Sequence, residues 1–536
     1  MSYDSSMTAR ASWSDRLSAE RAVPLGRVFG LDLRALAALR ILSALLLLVS
    51  LGDRARDFTA FYTDTGVLAA ADARNGARFE PWDGVSWLHP FSVVPDPWGS
   101  VALFTLAAIA AIFLLVGRQT KIAGFLCWSM LTGIDNRNPL VLDAGDDILR
   151  LLLFWGLFLP LSARFSVDAR SFPPARSNRI LSAGTVAFLV QLALIYSMSA
   201  LFKSYRDWVT DRSAVYYALH LEQFATPLGI ALRDHVPSRL LALGTWWLEL
   251  VSPLLLFSPF ATNQLRYLLF VSFAAMHTGI GLTLGIGLFS CVCVAAWLVT
   301  LPSGFWDRVE QIVTSLQKKP YSPATKGIHS VATSRGVGDL LAAFFLGYVL
   351  LWNLWVLNPG THGTWFPFAA RWLGYQLRLG QLWGMFSPAP SKVSSWLELG
   401  AQTLDGRVVW LRPDGRPNDG QRATPERVLS ERWRKFQERV VQEQGSGLDE
   451  RYAAFLLERF EHSAGGAPAR VTVVWVTKET PPPTSREGGP HGEDLHLLAT
   501  AGLQLEDPIP SQNQAYGKSA NRPLRNTTEL MKDTTR

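Results

Sequence analysis

The sequence predicts an all-α polytopic membrane bundle of about nine transmembrane helices, followed by a small α+β extramembrane domain towards the C-terminus. Apolar residues make up 49% of the 536 residues and charged residues only 18%, whereas soluble domains average about 25% charged residues. The apolar residues also lie in long blocks, and these blocks stop near residue 360. Soluble, disordered and disulfide-rich secreted classes are therefore disfavoured.

A helix needs about 20 apolar residues to cross the hydrocarbon core of a bilayer. The apolar run from Leu268 to Leu301 is too long for one helix, and the glycines within Gly279–Gly287 offer a place to break it. The predicted spans are residues 35–52, 99–117, 120–135, 146–163, 181–202, 239–260, 265–282, 284–302 and 337–357.

The orientation follows from the loops. Lys and Arg are enriched in the segments that share a side with the N-terminus, so the positive-inside rule predicts a cytoplasmic N-terminal segment, residues 1–34. That segment has mixed charge and no apolar core, so no cleavable signal peptide is expected. With an odd number of spans in the transmembrane domain, residues 35–357, the C-terminal domain is predicted to be extracytoplasmic.

Residues 358–478 are predicted to form the small α+β domain. Alternating residues around Asp405-Gly406 indicate a β-hairpin. Two amphipathic helices are predicted over 425–444 and 448–463, and a buried strand over 469–476. The tail, residues 479–536, is rich in Pro, Gly, Ser and Thr and is predicted to be disordered.

Metal and nucleic-acid chemistry are not indicated. Cys127, Cys291 and Cys293 lie in apolar stretches, and the Cys-x-Cys spacing without a second pair does not match a zinc site. The formal net charge of +7 is spread over the loops rather than gathered in one stripe, so we expect no nucleic-acid partner.

Ionisable residues inside apolar spans are the first place to look for function in a membrane protein. Arg40 and Glu249 are two of them, and we expect them to form a structural ion pair. Arg150 is expected to pair with Asp146 or Asp147, one turn earlier in the same helix. His277, in a glycine-rich span, is either a proton carrier or a core residue.

Lys203 ends an apolar run of about 20 residues. One interpretation is that its side chain reaches the membrane interface. The other is a dry pocket, where desolvation disfavours the ammonium and the uncharged amine is a competent general base. Asn136, Arg137 and Asn138 follow another apolar helix. They are expected either to hydrogen-bond a ligand oxygen or to satisfy backbone groups at the helix end.

Several segments together resemble the horizontally transferred transmembrane (HTTM) domain family, which is related to vitamin K-dependent gamma-carboxylase. The resemblance covers roughly residues 30–395. It is carried by RILSALLLLVSL and FYTDTGVL, DNRNPLVLDAGDDILRLLLFWGLFLPL, SALFKSYRDWVTDRSAVYYALHLEQFATPLG, ELVSPLLLFSP, MHTGIGLTLGIGLFS and LWGMFSPAP.

The resemblance to this family implies a reaction and the residues that would perform it. In gamma-carboxylase a lysine in a similar stretch deprotonates vitamin K hydroquinone, and by its distance from Asp207 and Trp208 that lysine matches Lys203. Oxygenation then yields a stronger base, which removes a proton from glutamate before carbon dioxide adds. The family's Asn-His pair is replaced here by Asn136-Arg137-Asn138. The residues assigned to cofactor binding are Asn136, Arg137, Asn138, Asp207, Trp208 and His277.

Two functions are therefore carried forward. The first is a quinol-dependent oxygenase or carboxylase with Lys203 as the catalytic base, reduced vitamin K of the menaquinol type as cofactor, O2 and CO2 as co-substrates, and no metal. Its partners would be the lipid bilayer, an isoprenoid quinone and a protein or peptide acceptor. The second is a non-catalytic membrane protein, a transport, immunity or maturation subunit, that keeps the bundle. A shared fold does not decide between them.

Overall fold

The computed structural model describes residues 24–69, 97–171, 177–316, 332–333, 336–358, 365–418, 430–464, 468–483 and 493–502. Most of the predicted cytoplasmic segment, residues 1–23, lies outside the described residues, as do 484–492 and 503–536 of the predicted tail.

The part of the chain before the C-terminal sheet is mainly helical. Its helices are α1 (Leu33–Arg56), α2 (Phe58–Tyr62), α3 (Trp98–Val116), α4 (Thr120–Arg137), α5 (Ala144–Gly156), α6 (Ala183–Phe202), α7 (Ala214–His220), α8 (Pro227–Leu232), α9 (Ser238–Leu256), α10 (Thr262–Thr283), α11 (Phe289–Leu298), α12 (Ser303–Leu316), α13 (Val337–Val356) and α14 (Phe368–Gln376). Three short strands, β1 (Leu31–Asp32), β2 (Arg179–Leu181) and β3 (Ala332–Thr333), form a small sheet in that order.

Six helices in the described residues are long and apolar enough to span a bilayer: α1, α3, α6, α9, α10 and α13. The pair α11 and α12 is bent by 100° and makes a seventh if it is counted as one span. Helices α4 and α5 occupy two further predicted spans. However, α5 has only 13 residues, about 20 Å at 1.5 Å per residue, and α4 carries Lys121, Asp135 and Arg137. The chain is thus polytopic, and nine spans remain a prediction.

Local sequence explains where the helices begin and break. The Asp32 carboxylate caps α1 by accepting from the Arg34 amide. Asp143 and Asp146 form a capping box at the start of α5. The predicted break in the long apolar run is present between α10 and α11, where Gly287 has a φ of 57°, a conformation that glycine adopts without strain.

The C-terminal part is an α+β unit. Its helices and strands are β4 (Val393–Thr403), β5 (Val408–Trp410), α15 (Glu431–Gln442), α16 (Leu448–Ala464), β6 (Pro468–Glu479) and β7 (Asp494–Gly502). The sheet order is β5-β4-β6-β7, and all neighbouring pairs are antiparallel. The hairpin predicted at Asp405-Gly406 joins β4 to β5, and both amphipathic helices are present.

The structure corrects one boundary of this domain. Strand β7 lies inside the tail for which the sequence predicts disorder, and it pairs with β6 from Arg470 to Thr477. The physical reason is a short apolar run, of which Ala499 is buried in the core and Leu498 and Ala501 pack against it, whereas Leu497 is exposed. The Pro- and Gly-rich residues before this short pattern hide it in a composition average. The sheet therefore extends to Gly502.

Candidate functional site

Lys203 is the residue at which α6 ends. Ser182 and Thr185 form the capping box that starts this helix, and the helix stops at Phe202 because Lys203 has an extended backbone. The next amide, that of Ser204, donates to the carbonyl of Pro388 at 2.6 Å. A π-helical turn, Arg206–Thr210, then folds back over the lysine.

The Lys203 side chain is buried inside the protein. Only 2% of it is exposed, and its Nζ donates to Glu249 Oε2 at 2.7 Å and to Ser199 Oγ at 2.5 Å. The ring of Trp208 lies below the ammonium, with 4.9 Å between Nζ and the ring centroid, within the range of a cation–π contact. The interpretation that Lys203 reaches the membrane interface is therefore wrong. The dry-pocket interpretation agrees with this burial.

Glu249, on α9, is the partner of Lys203, and this corrects the expected Arg40–Glu249 ion pair. Arg40 instead donates to the carbonyls of Leu114 and Leu115, at 2.5 and 2.6 Å, and to that of Phe165 at 2.5 Å. The last carbonyls of a helix lack intrahelical partners and carry the negative end of its dipole. Arg40 therefore caps α3, which leaves Glu249 for the lysine.

A buried lysine–carboxylate pair has two forms with the same net charge, an ionic form and a neutral form. In the ionic form each charge has lost its hydration, which is costly, and mutual attraction offsets part of that cost. Transfer of one proton from Nζ to Oε2 gives a neutral amine and a neutral acid, which burial favours. The structure thus places a carboxylate acceptor, Glu249 Oε2, beside Lys203 Nζ, a partner that the sequence does not reveal.

Asp207 and Trp208 lie close to Lys203, as expected from their spacing. The Asp207 carboxylate accepts from Ser204 Oγ at 2.7 Å, and Lys392 Nζ lies 3.8 Å from it. Trp208 is 3% exposed and belongs to a cluster with Ala242 and Trp246. Asp207 thus stabilises the turn that covers Lys203, and the Trp208 ring packs against the Lys203 ammonium.

His277 is connected to the surroundings of the Lys203–Glu249 pair through Tyr196. The Tyr196 hydroxyl and His277 Nε2 are 2.8 Å apart, and Tyr196 lies one turn before Ser199 on α6. His277 is 2% exposed, and its Nδ1 has no hydrogen-bond partner among the described residues. Both alternatives for His277 stay open, because a core histidine and a proton carrier make the same contact.

The structure places Asn136, Arg137 and Asn138 at helix ends. Asn138 Nδ2 donates to the Phe61 carbonyl at 3.0 Å, and its Oδ1 accepts from the Leu140 amide at 3.1 Å. Arg137 donates to the carbonyl of Leu68 at 2.9 Å. Asn136 accepts from Arg378. The contacts of Arg137 and Asn138 agree with the alternative that these side chains satisfy backbone groups, whereas Asn136 bonds to a side chain. A role of the three residues in cofactor binding remains a prediction.

A second buried cluster was not predicted from the sequence. We call Arg54, Asp135, Asp146, Arg150 and Arg432 the charge cluster. Arg54 Nη2 donates to Asp135 at 2.8 Å and to Asp146 at 2.7 Å, and Arg432 of α15 donates to both oxygens of Asp146 at 3.0 and 3.1 Å. Arg150 binds Asp135 as well as Asp147.

The charge cluster joins the helical part to the C-terminal unit. Arg432 lies on α15 of that unit, and its partner Asp146 lies on α5, 286 residues earlier. The pairing of Arg150 with Asp147 confirms one of the two predicted partners. The available sequence signal was the presence of Asp135 and Arg150 in otherwise apolar helices.

Glu431, which begins α15, should make stability depend on pH. Burial, together with the repulsion of the Asp143 and Asp146 carboxylates, raises its pKa from 4.5 to about 9 and outweighs the attraction of Arg434 and Lys435. The folded protein then holds a proton that the unfolded chain releases above its own pKa, so this contribution to stability is complete below pH 4.5 and is lost as the pH rises to about 9.

We expect Glu431→Gln to flatten the decline of the melting temperature over that pH range, because the amide stays neutral. The Glu443→Gln variant, at the other end of the same helix, is the matched control and should keep the wild-type slope. Parallel pH profiles for the wild type and Glu431→Gln would contradict the protonated state of Glu431.

The burial of Lys203 predicts slow chemical modification. In detergent at neutral pH, an amine-reactive ester should label Lys392, whose side chain is 57% exposed, and leave Lys203, at 2%, unlabelled. Peptide mapping by mass spectrometry gives both yields. Labelling of Lys203 after denaturation is the control. Equal labelling of Lys203 and Lys392 in the folded protein would contradict the burial of Lys203.

Apolar helices that enclose a buried lysine–carboxylate pair define an integral membrane protein with a polar centre inside its bundle. The HTTM domain model matches residues 31–304, just over half of the chain, and includes both Lys203 and Glu249. The chain belongs to the HTTM domain family. No curated protein and no solved structure matches it.

Proposed function

We propose that this protein is a membrane-embedded, quinol-dependent oxygenase or carboxylase in which Lys203, with Glu249, removes a proton from a hydroquinone. The observation that carries the proposal is the buried contact of 2.7 Å between Lys203 Nζ and Glu249 Oε2. Buried ionisable groups in membrane helices are costly and commonly mark functional sites. The resemblance to gamma-carboxylase supports a lysine base at this position.

The residues around the pair fit a hydroquinone. Such a molecule needs a polar partner for its hydroxyl and a flat apolar wall for its ring, and the pair and Trp208 supply these. The buried Trp208 Nε1 has no hydrogen-bond partner among the described residues, so a donor is available to a ligand oxygen. Leu201 and Tyr205, at 56% and 65% exposed, lie beside the pair in the chain and offer an apolar approach from the lipid.

The roles of the residues follow from these contacts. Proton transfer from Lys203 Nζ to Glu249 Oε2 produces the uncharged amine. That amine accepts the hydroxyl proton and becomes an ammonium, which stabilises the negative charge left on the oxygen. Ser199 Oγ holds Nζ in place during both steps. The bound hydroquinone supplies the reducing power for reaction with O2, and CO2 is the carbon source if an acceptor glutamate is carboxylated.

The test uses purified protein with menaquinol, oxygen and bicarbonate, and it measures quinol consumption, epoxide and carboxyglutamate. We expect consumption by the wild type and by Lys392→Met, an exposed lysine near the site, and loss of at least 100-fold in Lys203→Met, the low end of the range for a general base. Equal consumption in Lys203→Met would refute the proposed base.

A non-catalytic membrane protein is the second candidate. The observation that favours it is that Glu249 and Ser199 already satisfy the Lys203 ammonium, as in a purely structural ion pair. Under this proposal the wild type consumes no quinol, and quinones leave its melting temperature unchanged. Stabilisation by a quinone analogue that is lost in Lys203→Met would count against it.

A further inference from the structure

A small cavity lies at the opposite end of helix α6 from Lys203. Helix α6 begins beside the Phe158 carbonyl and reaches Lys203 after 20 residues. The cavity lies at the Phe158 end, between α1, the start of α4 and the end of α5, and its volume is about 30 Å³. That is roughly twice the space a water-sized occupant needs, so it admits oxygen atoms rather than a whole molecule.

Most of the cavity lining is apolar, but two of its polar side chains have atoms without hydrogen-bond partners among the described residues. Arg40 and Ser43 face it and are 0% and 2% exposed. Arg40 Nε and Ser43 Oγ have no hydrogen-bond partner among the described residues. Buried donors without partners are costly, and a ligand with acceptor oxygens removes that cost.

The charge around the cavity is positive. Lys121 also lines it and is exposed, and Arg118 is exposed in the preceding turn. Asp168 is the acid whose charge acts on Arg40, and its carboxylate oxygens accept from the amides of Gln119 and Thr120 at 2.9 Å. Asp168 is thus held by the N-terminus of α4, and an anion at the cavity still meets the Arg40 and Lys121 cations.

The surroundings of the cavity are apolar and face outwards. Phe113, Ile122 and Phe125 are 38%, 59% and 52% exposed on α3 and α4, as expected of side chains in contact with acyl chains. The predicted orientation puts this end at the cytoplasmic leaflet, where anionic lipids gather. The occupant should therefore carry both a phosphate and acyl chains.

We propose that an anionic phospholipid binds at this cavity, with a phosphate oxygen inside it towards Arg40 and Ser43 and the rest of the headgroup outside it at Lys121. Guanidinium and ammonium groups are the usual partners of phosphate. The proposal is independent of the chemistry at Lys203, because the two centres lie at opposite ends of α6.

The experiment is native mass spectrometry of the detergent-purified protein, titrated with phosphatidylglycerol, phosphatidylcholine or inorganic phosphate alone. We expect one phosphatidylglycerol to be retained at least fivefold more than phosphatidylcholine, and that preference to fall to about one in Lys121→Ala and in Ser43→Val, which fills the cavity. Arg308→Ala, which removes an exposed cation on α12, should keep the preference.

Three outcomes would overturn the proposal. These are equal retention of both lipids by the wild type, an equal loss in Arg308→Ala, and displacement of the lipid by millimolar inorganic phosphate, which would indicate a free anion. Melting temperature and gel filtration, recorded for every variant, separate loss of lipid from loss of fold.

Discussion

The Lys203→Met variant is expected to be less stable than the wild type by about 3–5 kcal/mol, the usual cost of removing one partner of a buried ion pair. The reason is Glu249, whose side chain is 6% exposed and would be left without its cation. Unfolding in detergent, followed by tryptophan fluorescence against denaturant, measures the change. Lys392→Met should alter the free energy of unfolding by less than about 1 kcal/mol, since the Lys392 side chain is 57% exposed and its Nζ lies 3.8 Å from Asp207.

The double variant Lys203→Met/Glu249→Leu separates stability from catalysis. Replacing both charges by apolar side chains removes the uncompensated carboxylate, so most of the lost stability should return. Quinol consumption should not return, because the amine is absent. If the double variant lost as much stability as Lys203→Met and Glu249→Leu together, the two residues would not act as a pair.

Arg432→Met is expected to have the second largest effect. Arg432 is 6% exposed on its side chain, binds both oxygens of Asp146 and donates to the carbonyl of Val141 at 3.1 Å. Its loss leaves Asp146 with Arg54 as its remaining cation in the charge cluster, and we expect a cost of about 3–5 kcal/mol. Melting temperature measures this cost, and limited proteolysis should show faster cleavage within the C-terminal unit.

The control for Arg432→Met is Arg439→Met, two turns further along α15, where the side chain bonds to Gln442 at the surface. That variant should keep the wild-type melting temperature and cleavage rate. An Arg432→Met protein that melts and digests like the wild type would show that the charge cluster does not hold the C-terminal unit to the helices.

The helices could be predicted from the sequence because their signal is local. About 20 apolar residues in a row, or a break of closely spaced glycines such as Gly285 and Gly287, are visible without knowledge of the rest of the chain. The hairpin at Asp405-Gly406 is local in the same way. Strand β7 was not predicted because it has only nine residues and lies between segments whose composition favours disorder.

The ion pairs could not be predicted because they depend on how distant helices pack. Lys203 and Glu249 are 46 residues apart, and from the sequence we expect Arg40 rather than Lys203 as the partner of Glu249. The packing of the helices places Arg40 against the carbonyls at the end of α3, so Arg40 does not pair with Glu249. In contrast, Arg150 and Asp147 are three residues apart on one helix, so their pairing was predictable.

The most direct test of a proton-accepting lysine–carboxylate pair omits oxygen. A hydroquinone is mixed anaerobically with the purified protein at neutral pH, and the ultraviolet spectrum shows whether it ionises on binding. We predict the spectrum of the ionised hydroquinone with the wild type and only that of the neutral form with Lys203→Met/Glu249→Leu. Ionisation with both proteins, or with neither, would contradict a role for Lys203 and Glu249 in removing the proton.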